Sequence, residues 1–483
     1  MKFLASLFTL GFFALSTSGC SVNPATGQSS FTGLMSEEKE LQVGKQEHPK
    51  ILQQFGGAYD HKAMSQYVDD LGQRLAKVSE LPDLKWTFTV LDDPIINAFA
   101  LPGGYIYISR GLIGLAENEA ELAAVIGHEI GHVTARHTAQ RYSKSVLTGI
   151  GATVLGIVVG GPAGDLANFA GQAYLASYSR GHEMEADMLG MRYMTRLGYD
   201  PKASASFFKK LAQHTELQAR MNGKKTEGHY SIFASHPDTQ SRIVASEKIA
   251  RSYPADINFT NRGVFLAQID GLDYGPSIRQ GIIEGRDFIH PDLRFEFSVP
   301  QGFTLINNPA YVAATHKNGS ALRFEMTRSK VGRVPMVQYV DDIWASKYNL
   351  RDVQALTVSG LEAATGIVRL NTDNGVRDIR YLAIADGNEI FHFRFLTPIN
   401  LTQQMELPFR KTTYSFRRLS TREAQRITGL HIDLHRVSSG ETVASIAQRM
   451  KVEKMQQDWF KVLNQDTLQD GLQAGETVKL VVR

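Results

Sequence analysis

"AAVIGHEIGHVTARH", residues 123–137, sets two histidines four positions apart with a glutamate directly after the first. On a helix, residues four apart lie about 40° apart around the axis, so His128 and His132 point to one side and can grip one metal ion. Glu129 lies about 100° round from His128, an offset that suits a carboxylate reaching the water on a metal rather than the metal itself. The preceding "AENEAELAAV" (116–125) brings acidic residues in early and strong helix formers throughout, which supports the helical reading. His137, nine positions after His128, falls on the opposite face and reads as an exposed side chain.

Two histidines leave a catalytic metal site short of a ligand, because such sites take three protein groups and a water. The missing group is sought in "SRGHEMEADMLG", residues 179–190. If Glu183 starts the ligand face of a second helix, Asp187 follows one turn on, with Gly190 and Met194 on the same side. Glu183 is then the third ligand, and Asp187 is placed to hydrogen-bond a ligating histidine. Gly190 lets this helix approach the H-E-x-x-H helix closely. Glu185 and His182 fall outside that face and read as solvated or locally paired.

The chain has 483 residues, more than one core accommodates, so several domains are expected. With 21% charged residues and a formal charge of +3, no basic patch of the kind nucleic acids require is indicated, and no nucleic-acid partner is expected. At the N-terminus an uncharged apolar run, residues 3–15, precedes "STSGC" (16–20) and its single cysteine. This reads as a signal peptide over 1–19 whose end resembles the lipobox of bacterial lipoproteins, with Thr17 where that pattern has leucine. The resemblance implies that Cys20 is lipidated and, with Ser21 following, that the chain is anchored in the outer membrane facing the periplasm. One cysteine makes no internal disulfide, which agrees with a modified Cys20.

A Ser-, Thr- and Gly-rich tether covers 20–34, followed by a mainly helical domain over 35–250 with a strand region at 84–109, and a connection over 251–289. The apolar stretch 146–161 reads as a helix or plug near the cleft, being short and glycine-rich for a membrane span. Short alternating runs such as "ALRFEMTR" (321–328) mark a separate α+β sandwich domain over 290–419, which distantly resembles the PsbP-like fold. Residues 430–483, with "SGETVASIA" (439–447) and "LQAGETVKLV" (472–481), resemble a LysM module, a β-α-α-β unit. That resemblance implies peptidoglycan as a partner; the insert "KMQQDWF" (454–460) departs from the pattern.

H-E-x-x-H followed some fifty residues later by E-x-x-A-D, with "NAFALPGGYIYISRGL" (97–112) before and "SHPDTQSR" (235–242) after, resembles the zinc metallopeptidase family that includes HtpX, the CaaX prenyl proteases and BepA. The resemblance implies a thermolysin-like gluzincin core, one zinc ion per chain held by His128, His132 and Glu183, and Glu129 as catalytic base. The residues alone leave His236 as a turn residue before Pro237 and Arg242 as a helix-surface charge. The family implies instead that His236 can sit on the metal and block it, and that Arg242 stabilises the transition state. The run Gly103, Gly104, Tyr105, Ile106, Tyr107 alternates as a strand and reads as an edge to which an extended substrate adds. Such pairing reads little side-chain identity. The expected function is therefore a metalloendopeptidase acting on unfolded or misassembled envelope proteins; the alternative is an assembly factor or peptidoglycan-binding tether with a latent protease site.

Overall fold

The computed structural model describes residues 20–27, 29–32, 35–141, 178–221, 236, 239–328, 334–372 and 375–483. The expected signal segment 1–19 and the apolar stretch 146–161 lie outside the described residues. Among the described residues, no helix is long and apolar enough to cross a membrane. The chain folds as two compact units, Met1–Gly275 with Leu430–Arg483, and Pro276–Gly429.

The first unit is built on helices α1 (Glu37–Gln54), α2 (Lys62–Lys77), α3 (Glu119–Thr134), α4 (Arg180–Arg196), α5 (Lys202–Met221), α6 (Thr239–Ala250) and α7 (Arg262–Ile269). A small sheet joins β1 (Thr87–Leu91), β2 (Ala98–Leu101) and β3 (Tyr105–Ser109). Helix α3 is the centre: every one of its residues is buried, its first turn carries Glu119 and Glu121, and the Asn118 side chain caps it by accepting from the Glu121 amide at 2.9 Å. A helix covered on all sides cannot show an amphipathic stripe.

The order of the small sheet corrects one expectation. β3 is its middle strand, parallel to β1 and antiparallel to β2, so the backbone groups of Tyr105, Ile106 and Tyr107 are already paired on both sides. Gly103 and Gly104 form the turn before it, with φ of 81° and 85°. Alternation identified the strand but not its neighbours; the edges are β1 and β2.

The C-terminal segment has the expected order of elements: β5 (Leu430–Arg436), α8 (Val443–Ala447), α9 (Gln456–Leu463) and β6 (Thr477–Val482). It does not stand apart. β5 pairs with β6 and with the short strand β4 (Asp273–Tyr274), and Ile432, Ile446, Trp459, Phe460 and Leu480 share one hydrophobic core with Ile126, Leu189 and Phe207. The fully buried Lys479 donates to the carbonyls of Gly114, Leu115 and Ala116 at 2.9, 3.1 and 2.7 Å. These close the short helix Arg110–Leu115, whose last carbonyls lack helical partners. Glu117 in turn accepts from the amide of Asp466 at 2.8 Å. The expected connection over 251–289 is divided as well: α7 and β4 belong to this unit, whereas strands Ile282–Glu284 and Asp287–His290 belong to the other.

The second unit holds, among its described residues, a seven-stranded antiparallel sheet running from Thr304–Asn308 through the central hairpin Gly375–Asp386 and Glu389–Pro398 to Arg351–Val358. A four-stranded sheet accompanies it, and their core is rich in phenylalanine, including Phe295, Phe297, Phe324, Phe391 and Phe393. The alternating burial over Ala321, Leu322, Arg323 and Phe324 follows the period of two in the sequence.

Candidate active site

Helices α3 and α4 cross at glycines. A Cβ on Gly127 would lie 3.0 Å from the Gly190 carbonyl oxygen, and one on Gly131 would lie 3.1 Å from that of Ala186. This close passage brings Glu183 of α4 against the imidazoles of α3. Glu183 Oε2 is 3.6 Å from His128 Nε2, and Oε1 is 3.4 Å from His132 Nε2. His236 enters from the chain before α6, its Nδ1 3.1 Å from Glu183 and 3.3 Å from His128 Nε2. Ligand atoms of His128, His132, Glu183 and His236 all lie within 4.8 Å of one another, and all four residues are buried.

The second partners of these groups fix their orientation. His128 turns Nδ1 to Asp187 Oδ1 at 2.7 Å, leaving Nε2 toward the centre. Arg242 grips Asp187 with two parallel bonds, Nε to Oδ2 at 2.8 Å and a terminal nitrogen to Oδ1 at 2.7 Å, and its other nitrogen reaches Glu183 Oε2 at 2.7 Å. Arg242 is buried and lies over the Phe208 ring, so the reading of it as a surface charge is excluded.

Burial and pairing oppose each other here. Burial acts to raise the Glu183 carboxyl, but His236, His132 and His128 outweigh it and hold Glu183 well below the ordinary range. The same contest keeps Asp187 low, with Arg242 prevailing over burial. At Glu129 burial wins and the carboxyl is raised despite His236 and His128. Burial pushes His132 well below its usual value. His236 is raised, since Glu183 and Glu129 outweigh its burial. The result is one low carboxylate facing the imidazoles and one raised carboxyl beside them, a division suited to a ligand and a proton carrier.

Nitrogen donors with a single carboxylate fit a divalent metal of the zinc type. Two further atoms point the same way: Glu129 Oε2 and His236 Nε2 are buried without a hydrogen-bond partner. The cleft that opens on them is lined by Ala124, Val125, Ser204, Phe207, Phe208 and Leu211, together with His128, Glu129, His236 and Arg242.

One expectation about the surroundings fails. His137 is fully buried, because α3 ends at Thr134 and Arg136 adopts a left-handed φ of 56° that turns His137 back beneath His132. Its Nδ1 lies 2.9 Å from His132 Nδ1. Arg136 is held in that conformation by Glu40 at 2.9 Å and by the Met35 carbonyl at 2.8 Å. Of the two alternatives for Glu185 and His182, local pairing holds: Glu185 lies 3.2 Å from His137 Nε2, and His182 stacks on the His137 ring with centroids 4.3 Å apart. Tyr178, also missed, stacks on His132 with centroids 3.9 Å apart. Only the ARH at the helix end could have signalled His137, and helical counting sends it the wrong way.

An H-E-x-x-H helix crossed by a helix that supplies a buried glutamate and a supporting aspartate brings together the donor set of a metal site. Residues 62–250 match Peptidase family M48, so this part of the chain is similar to that family. It is 32% identical over 191 residues to a beta-barrel assembly-enhancing protease of Yersinia pestis, covering 37% of this chain and 37% of the relative. A protein of the same name from Escherichia coli K12 is 28% identical over 241 residues, covering 48% and 47%. The mitochondrial metalloendopeptidase OMA1 of Arabidopsis thaliana is 37% identical over 139 residues, covering 29% and 28%. The chain thus spans less than half the length of each of these relatives.

Proposed function

We propose that this chain is an outer-membrane lipoprotein, anchored through Cys20 and facing the periplasm, whose first unit is a zinc endopeptidase for misfolded or stalled envelope proteins. The observation that carries the reading is the buried convergence of His128, His132 and Glu183 beside a raised Glu129. A zinc ion held by the first three supplies Lewis acidity, acidifying water and polarising a peptide carbonyl. Glu129 takes a proton from the attacking water and returns it to the leaving amine; its raised carboxyl suits both transfers. Arg242 and His236 line the cleft as donors toward the negative charge that develops on the carbonyl oxygen. The names of the Yersinia and Escherichia relatives favour envelope proteins as substrates. The 290–419 region serves as an accessory, PsbP-like domain, and the 430–483 segment as a LysM-like element.

The test is casein cleavage by zinc-loaded protein. Wild type is expected to cleave and Glu129→Gln to lose that activity; equal cleavage by both would overturn the enzyme reading. A latent site is the second reading, favoured by the place of His236 among the four candidate ligand groups. It predicts weak cleavage by wild type that rises in His236→Ala. Mass spectrometry of the mature N-terminus checks lipid on Cys20, and sedimentation with insoluble peptidoglycan checks the glycan reading.

A further inference from the structure

The two candidate ligand histidines of α3 are oriented by different means. His128 meets a carboxylate directly through Asp187, whereas His132 meets another histidine. That difference leads outward from the site. His132 directs Nε2 toward Glu183 and His128, so this is the nitrogen offered to a metal and it must be unprotonated. A neutral His132 then carries its proton on Nδ1 and donates it to His137 Nδ1, 2.9 Å away. His137, accepting there, must carry its own proton on Nε2 and donate it to Glu185 Oε2 at 3.2 Å. The other Glu185 oxygen accepts from Asn23 Nδ2 at 2.8 Å, and Thr26 adds a side-chain hydrogen bond to the same carboxylate. Each donor in the series meets an acceptor, and only one arrangement of protons satisfies all of them.

Asn23 belongs to the tether, three residues after Cys20. The tether is locally built to present it: Asn23 is 4% exposed, its Oδ1 accepts from the amides of Ala25 and Thr26 at 2.8 and 3.3 Å, and strand Cys20–Val22 pairs antiparallel with Ser29–Phe31. With Oδ1 so occupied, the amide nitrogen of Asn23 is directed to Glu185.

We infer that His137, Glu185 and Asn23 are positioning residues that fix the tautomer of His132 from outside the ligand set, so that metal retention depends on the docked tether. The inference rests on the reading of His128, His132 and Glu183 as metal ligands. A ligand whose second nitrogen loses its partner can rotate or hold its proton on the wrong nitrogen, and loss of such outer partners costs about 10–100-fold in metal affinity.

The experiment uses the full chain loaded with zinc, and follows zinc loss to a coloured chelator. His137→Phe and Glu185→Gln are expected to weaken zinc binding about 10–100-fold, and Asn23→Leu several-fold. Met184→Ala, an exposed neighbour on the same helix, is expected to leave it unchanged. Melting of the metal-free variants checks folding. Cobalt(II) replacing zinc gives a second readout, because a misoriented His132 alters the visible absorption of the bound ion. Should a single variant fail to fold, the pair Glu185→Gln and Asn23→Leu is combined: groups in one series give a double variant little worse than Glu185→Gln alone, and additive losses overturn the inference. Zinc loss equal to wild type in all three folded variants also overturns it. A wild-type chain that binds no zinc overturns the metal reading itself, and this inference with it.

Discussion

Gly190 of α4 passes so close to His128 of α3 that a Cβ at Gly190 would lie 2.7 Å from the His128 amide nitrogen. Real Cβ atoms do not approach backbone to that distance, so any side chain there must push the helices apart. Gly190→Ala is expected to destabilise the first unit by about 1–3 kcal/mol, the usual cost of overpacking. It should also weaken zinc binding, since Glu183 and the histidines sit on opposite sides of the crossing. Thermal melting with and without zinc measures both effects. An unchanged zinc affinity would show that the crossing does not set the ligand spacing.

Glu129 and Glu183 are both buried and both border the same imidazoles, yet they should fail differently when changed. Glu129→Gln removes the proton carrier and keeps the shape, so activity should fall by about 10²–10⁴-fold while zinc content stays near one per chain. Glu183→Gln removes a negative ligand and leaves Arg242 without one of its two carboxylate partners. Zinc should then be lost on dialysis. Metal analysis of the two purified variants separates the roles, and retention of zinc by Glu183→Gln would transfer the third ligand to another group.

The convergence of His128, His132 and Glu183 was legible because it depends on period alone. His128, His132, Glu183 and Asp187 lie within continuous helices, where spacing in sequence gives direction in space. His137 was not legible, because its place depends on the left-handed turn at Arg136, and that turn depends on Glu40, far away in sequence. The edge strand failed for a related reason: alternation gives a strand's faces, whereas its neighbours come from the register of other segments. The C-terminal segment showed its elements but not its packing, since Lys479 reads as a surface charge until its three carbonyl partners are placed.

That packing makes residues 430–483 part of the first unit. Trp459 is 5% exposed within the shared core, with its ring near His214 and Tyr274. Trp459→Ala should cost about 3–5 kcal/mol. The loss should appear in the unfolding of the proposed zinc site as well as in that of the C-terminal segment. Urea titration followed by both far-ultraviolet dichroism and zinc release tests this. Two separate transitions, with zinc release unaffected by the substitution, would show an independent module.

The second unit should lose stability in mild acid. His290 and His392 are both brought to a pKa of about 4, in each case by burial foremost. Their folded values lie below the unfolded value near 6.5, so the unfolded chain takes up protons first as pH falls. Stability is therefore fully present above about pH 6.5 and is lost as pH falls toward 4, by up to about 1.4 kcal/mol per pH unit for each histidine. Asp378, held low first by its hydrogen bond from Arg369, acts with the same sign further into acid. His392→Gln should flatten the dependence between pH 6.5 and 4, as read by melting temperature across that range. An unchanged slope would mean that His392 is protonated in the folded unit.

Arg242 has two separable duties, and one substitution distinguishes them. Its fork holds Asp187, which orients His128, while its position on the cleft wall gives it access to a reacting carbonyl. Lysine keeps the charge but cannot make two parallel bonds to one carboxylate. If the fork is the main duty, Arg242→Lys should release zinc faster and lose activity in proportion to the zinc lost. If charge stabilisation in the transition state is the main duty, the retained charge should keep both zinc content and kcat near wild type in Arg242→Lys, whereas Arg242→Gln should lower kcat by about 10²–10³-fold with little change in KM. The bidentate geometry, 2.8 and 2.7 Å to Asp187, and the further 2.7 Å contact with Glu183 commit three of the five guanidinium N–H donors to the carboxylates around the site. Faster zinc release is accordingly the expected result, and a variant that retains zinc at the wild-type rate would shift the weight to the cleft.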